Sequence, residues 1–333
     1  MRNSESSKQV LLEVRNLQAG YEVKKGFVGA VDDVSFCLHK GEFLGIAGES
    51  GCGKSTLAFA IMNLLRDNAR IRSGEIDFQG RLVSALSGEG FNKIRWVNLS
   101  MVFQSAMNAL NPVLKVGEQL CDAIHAHRSI SAQKAKERAQ QMLQLVDIGP
   151  ERYDSYPHQL SGGMKQRVMI AMALVLEPQL VIMDEPTTAL DVVVQRTIIE
   201  KIQELQQQLD FSVIFITHDL SLLVEISDRL AIMYAGKIIE EGPAQDVFSH
   251  PLHPYTHGLM NAFPSLSGPI RRMGGIEGKP PDLLDPPKGC RFFPRCSQVM
   301  DRCANTYPPE ILFEGDHRVA CHLYEGKGDM QNG

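Results

Sequence analysis

The chain has 333 residues, enough for one large domain with an appendage or for two domains. Hydrophobic residues make up 44 % and charged residues 22 %, the balance of an ordinary soluble globular protein. A net charge of −5 removes the basic footprint of a dedicated nucleic-acid binder, and no stretch reaches the roughly 18 apolar residues of a membrane-spanning helix.

In chain order, the opening MRNSESSKQ lacks the apolar run of a signal peptide. LLEVRNL (11–17) and AVDDVSFCL (30–38) alternate as strands around a glycine-flanked turn region. EFLGIAG (42–48) reads as a short apolar strand running into a glycine-rich turn. A helix follows, with Leu57, Ile61, Leu64 and Leu65 on its apolar face. GEIDFQG (74–80) predicts an edge strand. From about 113 to 147 the pattern is helical, with the polar RSISAQKAKERAQQ in its middle facing solvent. VMIAMALVL (168–176), the longest apolar run, reads as a buried helix. LVIMD (180–184), a helix over about 192–208 and SVIFITH (212–218) continue the alternation, and RLAIMYAGKIIEEG (229–242) predicts a hairpin turning at Ala235-Gly236. Apolar strands alternating with helices imply an α/β core with a largely parallel sheet. The core domain is expected to end near 242–262, and the Pro- and Gly-rich 264–289 reads as an irregular connector.

GESGCGKST (48–56) fits the phosphate-loop pattern G-x-x-x-x-G-K-[ST] through Gly48, Gly53, Lys54 and Ser55. The glycines let the backbone curl so that the N–H groups of Ser50, Gly51, Cys52 and their neighbours point at phosphate oxygens. A helix starting near Lys54 adds its positive N-terminal end. Lys54 is placed to reach the β/γ-phosphates, Ser55 to ligate Mg²⁺ and Thr56 to touch the α-phosphate. Cys52, at the start of that helix, is expected to be acidified by its dipole and has no evident catalytic duty.

QLVIMDEP (179–186) is an apolar strand ending in two carboxylates. Asp184 at the tip can hold Mg²⁺ through water, and Glu185 can polarise an attacking water. LSGGMKQR (160–167) offers a second anion site at a helix start, from the Ser161 hydroxyl and the uncovered amides of Gly162 and Gly163. A dimer accounts for two cradles in one chain, each subunit's second cradle closing over the γ-phosphate bound by the other.

Together GESGCGKST, LSGGMKQR and LVIMDE resemble the ATP-binding subunit of an ABC transporter over roughly residues 11–250. The resemblance implies a P-loop NTPase cassette with a mixed sheet core at 8–262, a helical subdomain at about 105–177, and an irregular extension at 263–333. It further implies that Gln104 senses Mg²⁺ and nucleotide near the membrane-subunit contact, and that Asp191 lies at the dimer seam. His218 would contact the γ-phosphate, and Tyr21 would stack on adenine, a role open also to Phe27. HPLHPYTHGLMNAFP (250–264) and GKPPDLLDPPKGCRFFPRC resemble the C-terminal extension of the dipeptide/oligopeptide branch of ABC importers. That branch implies ATP and Mg²⁺ as cofactors and hydrolysis coupled to peptide uptake at the cytoplasmic face of the inner membrane. Its partners would be two integral-membrane permease subunits, a second ATP-binding subunit, identical or homologous, and indirectly an external substrate-binding protein. Related subunits serve nickel or sugar oligomers, which are the alternative cargoes. A soluble ABC-type ATPase acting on nucleic acid or ribosomes is the rival of another class; one cassette, no heptads and a negative charge speak against it.

Of seven cysteines, Cys290, Cys296, Cys303 and Cys321 fall within one short stretch near the C-terminus. Their spacing lacks the tight C-x₂₋₄-C pair usual in small zinc modules and fits a four-cysteine [4Fe–4S] cluster better. Zinc, two disulfides or free thiols remain as other readings of the spacing, and the family resemblance also implies the cluster. Arg291, Arg295, Arg302 and Arg318 are interleaved and would offset thiolate charge, while His317 and His322 read as bystanders. The extension has too little apolar sequence for a core of its own, so a metal cross-link is expected to hold it folded.

Overall fold

The computed structural model describes residues 9–104, 109–188, 190–261 and 275–326. Ala189 and the 264–274 part of the expected connector lie outside the described residues. Two long strands come first, β1 (Val10–Val23) and β2 (Gly26–His39), then the five-residue β3 (Phe43–Ala47). α1 (Lys54–Ile61) follows the glycine loop, and β4 (Ala69–Phe78) leads to the short β5 (Arg81–Leu82). A helical turn α2 (Gly88–Asn92), β6 (Leu99–Val102), α3 (Val116–His125), α4 (Ala132–Leu145) and α5 (Gly162–Leu174) come next. After β7 (Leu180–Asp184) the chain continues through α6 (Val192–Leu209), β8 (Ser212–Ile216), α7 (Leu220–Ile226), β9 (Arg229–Tyr234) and β10 (Lys237–Pro243). It closes with α8 (Ala244–Ser249), α9 (Pro254–Asn261), β11 (Glu310–Phe313) and β12 (His317–Ala320).

The chain divides into two compact units. One comprises Met1–Leu11, Leu38–Glu42 and Ala85–Phe215. In it β6, β7 and β8 lie side by side, and β6 and β7 are parallel with Leu99 opposite Leu180. Every residue of β7 and β8 is buried, as strands covered on both faces require. α5 is buried from Val168 through Ile170 and beyond, as its continuous apolar run predicts. The helical pattern expected over about 113–147 is present as two helices, α3 and α4. Ser131 accepts a bond from the Lys134 amide at 3.4 Å and starts α4 afresh. Ala135, Ala139, Met142 and Leu143 then bury one stripe of α4, so only the opposite face of the polar segment meets solvent.

The second unit comprises Leu12–Cys37, Phe43–Ser84 and Ile216–Gly333. β2, β1, β4 and β5 form one sheet in that order, with β4 antiparallel to both β1 and β5, so the expected edge strand has a neighbour on each side. In the other sheet β3 pairs parallel with β9, but β9–β10, β10–β12 and β12–β11 are antiparallel. The largely parallel sheet expected from the strand–helix alternation is thus a mixed one, as the family resemblance implies. The C-terminal segment adds β12 to β10, which sequence periodicity had not indicated. Behind this pairing Glu240, 1 % exposed, accepts bonds from the Leu252 and His253 amides and lies 2.8 Å from His317 Nε2. The predicted hairpin turn is present, with Ala235 and Gly236 both at positive φ (46° and 88°), the conformation of a two-residue turn matched to strand twist.

Candidate active site

The phosphate loop joins the end of β3 to α1, where ligands gather at the carboxyl ends of parallel strands. Its glycines are dictated by space as well as by dihedral. Gly48 and Gly53 sit at φ 152° and 111°, and a Cβ on either would come within 2.1 Å of the Met233 carbonyl oxygen or 1.9 Å of the Ala30 carbonyl oxygen. Lys54 is buried, and its Nζ lies over the loop, donating to the Gly48 oxygen (2.7 Å) and the Glu49 oxygen (3.0 Å). Ser55 and Thr56 fall in the first turn of α1, with Ser50 and Gly51 exposed at the mouth of the loop. Tyr21 Oη is 3.0 Å from Thr56 Oγ1, which ties Tyr21 to that first turn. Phe27 is engaged differently, with the Arg72 guanidinium 3.6 Å from its ring centroid. Cys52 contradicts its expected acidity: burial pushes its thiol up, and Lys54, 3.6 Å away, offsets this only in part.

In the other unit Asp184 ends β7 and is 2 % exposed. Glu185 follows in a left-handed backbone conformation (φ 46°), a placement a non-glycine residue adopts rarely. Its Oε2 accepts from Gln104 Nε2 at 2.9 Å and from Thr188 Oγ1 at 3.0 Å. The structure thus brings Gln104 and Glu185 together across 81 residues of sequence. Thr188 was not singled out, although its place three residues after Glu185 was the available signal. Ser161 caps α5 by accepting from the Met164 amide (3.3 Å), and it and Gly162 are exposed. Asp191 caps α6 in the same way through Val194 (3.0 Å). In the second unit His218 is exposed in the bend after β8, and Asp219 beside it caps α7 by accepting from the Leu222 amide at 3.1 Å.

Cys290, Cys296, Cys303 and Cys321 line one small apolar pocket together with Phe293 and Met300. Gly289 is required there, because a Cβ would lie 2.2 Å from the Cys303 oxygen, to whose residue the Cys290 amide is bonded at 2.8 Å. Burial pushes the Cys290 and Cys321 thiols up to about 11, with the neighbouring thiols adding to the shift, and raises Cys296 as well. Among the described residues no three His, Cys, Asp or Glu side chains are grouped closely enough to hold one metal ion. The thiols therefore converge as expected, but the grouping does not support a metal centre by itself. The arginines do not play their expected part. Arg291 binds Asp32 and the Ala235 oxygen, Arg302 binds Glu325, Arg318 binds Glu241, and Arg295 binds Glu49 of the phosphate loop. The two histidines are engaged elsewhere, His317 with Glu240 and His322 with Glu325 and the Thr306 oxygen.

Comparison with known proteins agrees with this geometry. A family model described as ABC transporter matches residues 31–188, and one described as oligopeptide/dipeptide transporter, C-terminal region, matches residues 239–303. The dipeptide transport ATP-binding protein DppD of Bacillus subtilis is 45 % identical over 96 % of each chain. The oligopeptide transport ATP-binding protein OppD of Salmonella typhimurium is 47 % identical over 93 % of each. Among solved structures, a dimeric ATP-binding cassette in a post-hydrolysis state bound to ADP and Pi aligns with a TM-score of 0.63 at 28 % identity, covering 70 % of this chain and 99 % of that one. The cbiO1 protein of Clostridium perfringens, part of an ABC transporter complex, aligns at 0.64 and 28 % identity, covering 73 % and 92 %. No helix among the described residues is long and apolar enough to cross a membrane. The chain belongs to the ATP-hydrolysing, ATP-binding subunits of the dipeptide/oligopeptide branch of ABC transporters.

Proposed function

We propose that this subunit drives uptake of dipeptides or oligopeptides through two integral-membrane permease subunits, at the cytoplasmic face of the inner membrane. It acts as one of two cassettes that sandwich two Mg²⁺-ATP, close, and reopen after hydrolysis. An external binding protein delivers the cargo to the permease. The observation that carries the reading is the loop at residues 48–56, where Gly48 and Gly53 admit no Cβ and Lys54 lies across the turn.

On the pattern the family implies, the loop amides and Lys54 would hold the β- and γ-phosphates, and Ser55, Asp184 and Gln104 would be the residues to hold Mg²⁺, which would supply charge to offset the phosphates. Tyr21, anchored at Thr56, stacks on the adenine. Glu185 takes a proton from water as the water oxygen attacks the γ-phosphorus and the bond to the β–γ bridging oxygen breaks. Its carboxylate is oriented by Gln104 and Thr188. His218 of the same chain, together with the partner subunit's Ser161, Gly162 and Gly163, stabilises the transferring phosphoryl group. Asp191 meets the opposite subunit at the seam. Replacing the base, Glu185→Gln, is expected to lower kcat by on the order of 10²–10⁴ while ATP still binds. Wild-type turnover in that variant overturns the assignment. For cargo, vesicles holding the full transporter should accumulate labelled dipeptide in an ATP-dependent way that nickel and oligosaccharides do not inhibit.

On the same reading the four thiols serve a [4Fe–4S] cluster rather than a single ion, since no three such donors among the described residues are grouped closely enough to share one ion. Donors around one zinc at about 2.3 Å each crowd to within roughly 4 Å of one another, whereas a cluster distributes its ligands over four irons. Cys290, Cys296, Cys303 and Cys321 would hold it, and when bound it would cross-link the extension. Thiols raised to about 11 keep their protons at neutral pH until a cation displaces them. Protein purified without oxygen should contain about four irons and four sulfides per chain, lost together in Cys296→Ser. One zinc per chain, or no metal, overturns the cluster and leaves the ATPase in place.

A further inference from the structure

The short turn Phe293–Arg295, which ends at Cys296, reaches back to the phosphate loop. Arg295 NH1 and NH2 grip the two carboxylate oxygens of Glu49 at 2.9 and 3.0 Å, a fork-to-fork pair with the arginine side chain 5 % exposed. The remaining donors of the guanidinium are also used: Nε donates to the Glu277 oxygen (2.8 Å), NH1 to Tyr234 Oη (3.2 Å) and NH2 to the Ile276 oxygen (3.1 Å). All five N–H groups have partners, so the group is locked in place rather than sampling the surface. Burial disfavours its charge, but the bonds to Glu49 and Tyr234 outweigh that and raise its affinity for the proton.

Glu49 is the second residue of the loop that curls around phosphate, and it is fixed at every polar group. Its amide donates to Tyr255 Oη at 2.9 Å, its carboxylate is held by Arg295, and its carbonyl accepts from Lys54 Nζ (3.0 Å) and the Cys52 amide (3.2 Å). Tyr255 is itself fully buried and packs on Tyr234 and on Phe292, ring centroids 4.5 and 5.4 Å apart. Phe292 and Arg295 belong to the C-terminal extension, so the extension supplies the counter-charge of Glu49 and a ring packed on the tyrosine that holds its amide. A carboxylate in a loop built for polyphosphate repels its ligand unless that charge is neutralised and turned aside.

We propose that Arg295 and Tyr255 are positioning residues of the ATP site, holding Glu49 so that the C-terminal extension sets the affinity of the phosphate loop for Mg²⁺-ATP. This rests on the assignment of residues 48–56 to the phosphates. The predicted consequence is a split between binding and turnover, because neither residue touches the reacting atoms.

The test uses the full-length chain in its complex with permease subunits and partner cassette, measuring KM for ATP and kcat. Arg295→Gln is expected to raise KM at least about tenfold, the loss of a charge-assisted bidentate contact, with kcat within about twofold. Arg295→Lys, which keeps charge but not the fork, should recover part of that loss. Tyr255→Phe removes only the acceptor of the Glu49 amide and should raise KM about threefold to tenfold. It keeps the question open to refutation if Arg295→Gln does not fold. Arg302→Gln, whose arginine binds Glu325 in the same extension, should leave KM unchanged. Unchanged KM in Tyr255→Phe and in whichever Arg295 variant folds overturns the proposal, as does an equal rise in Arg302→Gln. Lys54→Ala separates the two levels. If it binds ATP normally, the phosphate-loop assignment itself fails; if it loses ATP while the positioning variants keep normal KM, only the present inference fails.

Discussion

The chain carries two glycine-rich helix starts, and they are built differently. The loop at 48–56 is determined from all sides: two glycines press against carbonyl oxygens, Thr56 meets Tyr21, and Glu49 is gripped by Tyr255 and Arg295. The start of α5 holds itself with one cap bond, from the Met164 amide to Ser161, and leaves Ser161 and Gly162 exposed. A cradle supported within its own chain is a finished binding site. One that presents a hydroxyl and uncovered amides to solvent is, on the function proposed above, half of a site that a second cassette completes. The contrast explains why the same residue types, Ser and Gly at a helix N-terminus, do different work in the two places.

The sharpest way to break that contrast is to add one methyl group to each site. Gly53→Ala forces a Cβ to within 1.9 Å of the Ala30 oxygen at φ 111°, costing on the order of 1–3 kcal/mol in backbone strain alone before the clash. ATP affinity of the isolated chain, measured by titration with a fluorescent nucleotide, should fall at least about 100-fold, since the amides leave their phosphate geometry. Gly163→Ala places its Cβ 2.7 Å from Val194 Cγ1, the end of a side chain, and replaces glycine in a helix where alanine is preferred by about 1 kcal/mol. Its ATP affinity as an isolated chain should be unchanged. Equal losses in the two variants would mean that both cradles serve nucleotide within one chain.

Ser161→Ala sharpens the same comparison with a smaller effect. Losing the cap costs about 1 kcal/mol of stability, read as a shift of the urea midpoint. Nucleotide binding by the isolated chain should be untouched, while ATP turnover by the assembled transporter falls roughly tenfold or more. Mixing Ser161→Ala chains with Lys54→Ala chains then tests exchange between subunits. Residual activity in the mixture should follow the number of cradles that pair an intact loop with an intact serine.

The two cradles also differ in how legible they were. Both motifs stood out because each is local: Gly48 to Thr56 and Ser161 to Gly163 are contiguous, and hydrophobic periodicity placed them at helix starts. β3, β7 and β8 were read for the same reason, since five consecutive buried residues leave an uninterrupted apolar run. The supports of the first cradle were hidden because they come from far along the chain. Arg295 is 246 residues from Glu49 and Tyr255 is 206, and spacing carries no information about where such segments meet. The same limit concealed the addition of β12 to β10, and it led the tail arginines to be read as partners of thiols when carboxylates had already claimed them. Cys52 failed differently. Its position at a helix start was correct, but the decisive quantity was burial, which a motif does not encode.

The foundation of the first cradle contains one further group that distinguishes it from the second. His253 is buried beneath the loop's support, and its Nδ1 accepts the Tyr255 amide at 3.0 Å, which requires that nitrogen to be unprotonated. Burial lowers its pKa from 6.5 to about 3. Between those values the unfolded chain binds a proton that the folded chain refuses, so stability is intact above pH 6.5 and falls as pH drops toward 3. The slope from this one group can reach about 1.4 kcal/mol per pH unit. His253→Gln should flatten that part of the stability curve measured by urea unfolding, and an unchanged slope would remove His253 as its source. Acid should loosen the two cradles unequally. The Glu49 amide, bonded to Tyr255, should exchange its hydrogen faster at pH 5 than at pH 7 after correction for the intrinsic rate. The Met164 amide is capped by a serine that does not titrate in this range, so in the absence of global unfolding its corrected rate should stay constant.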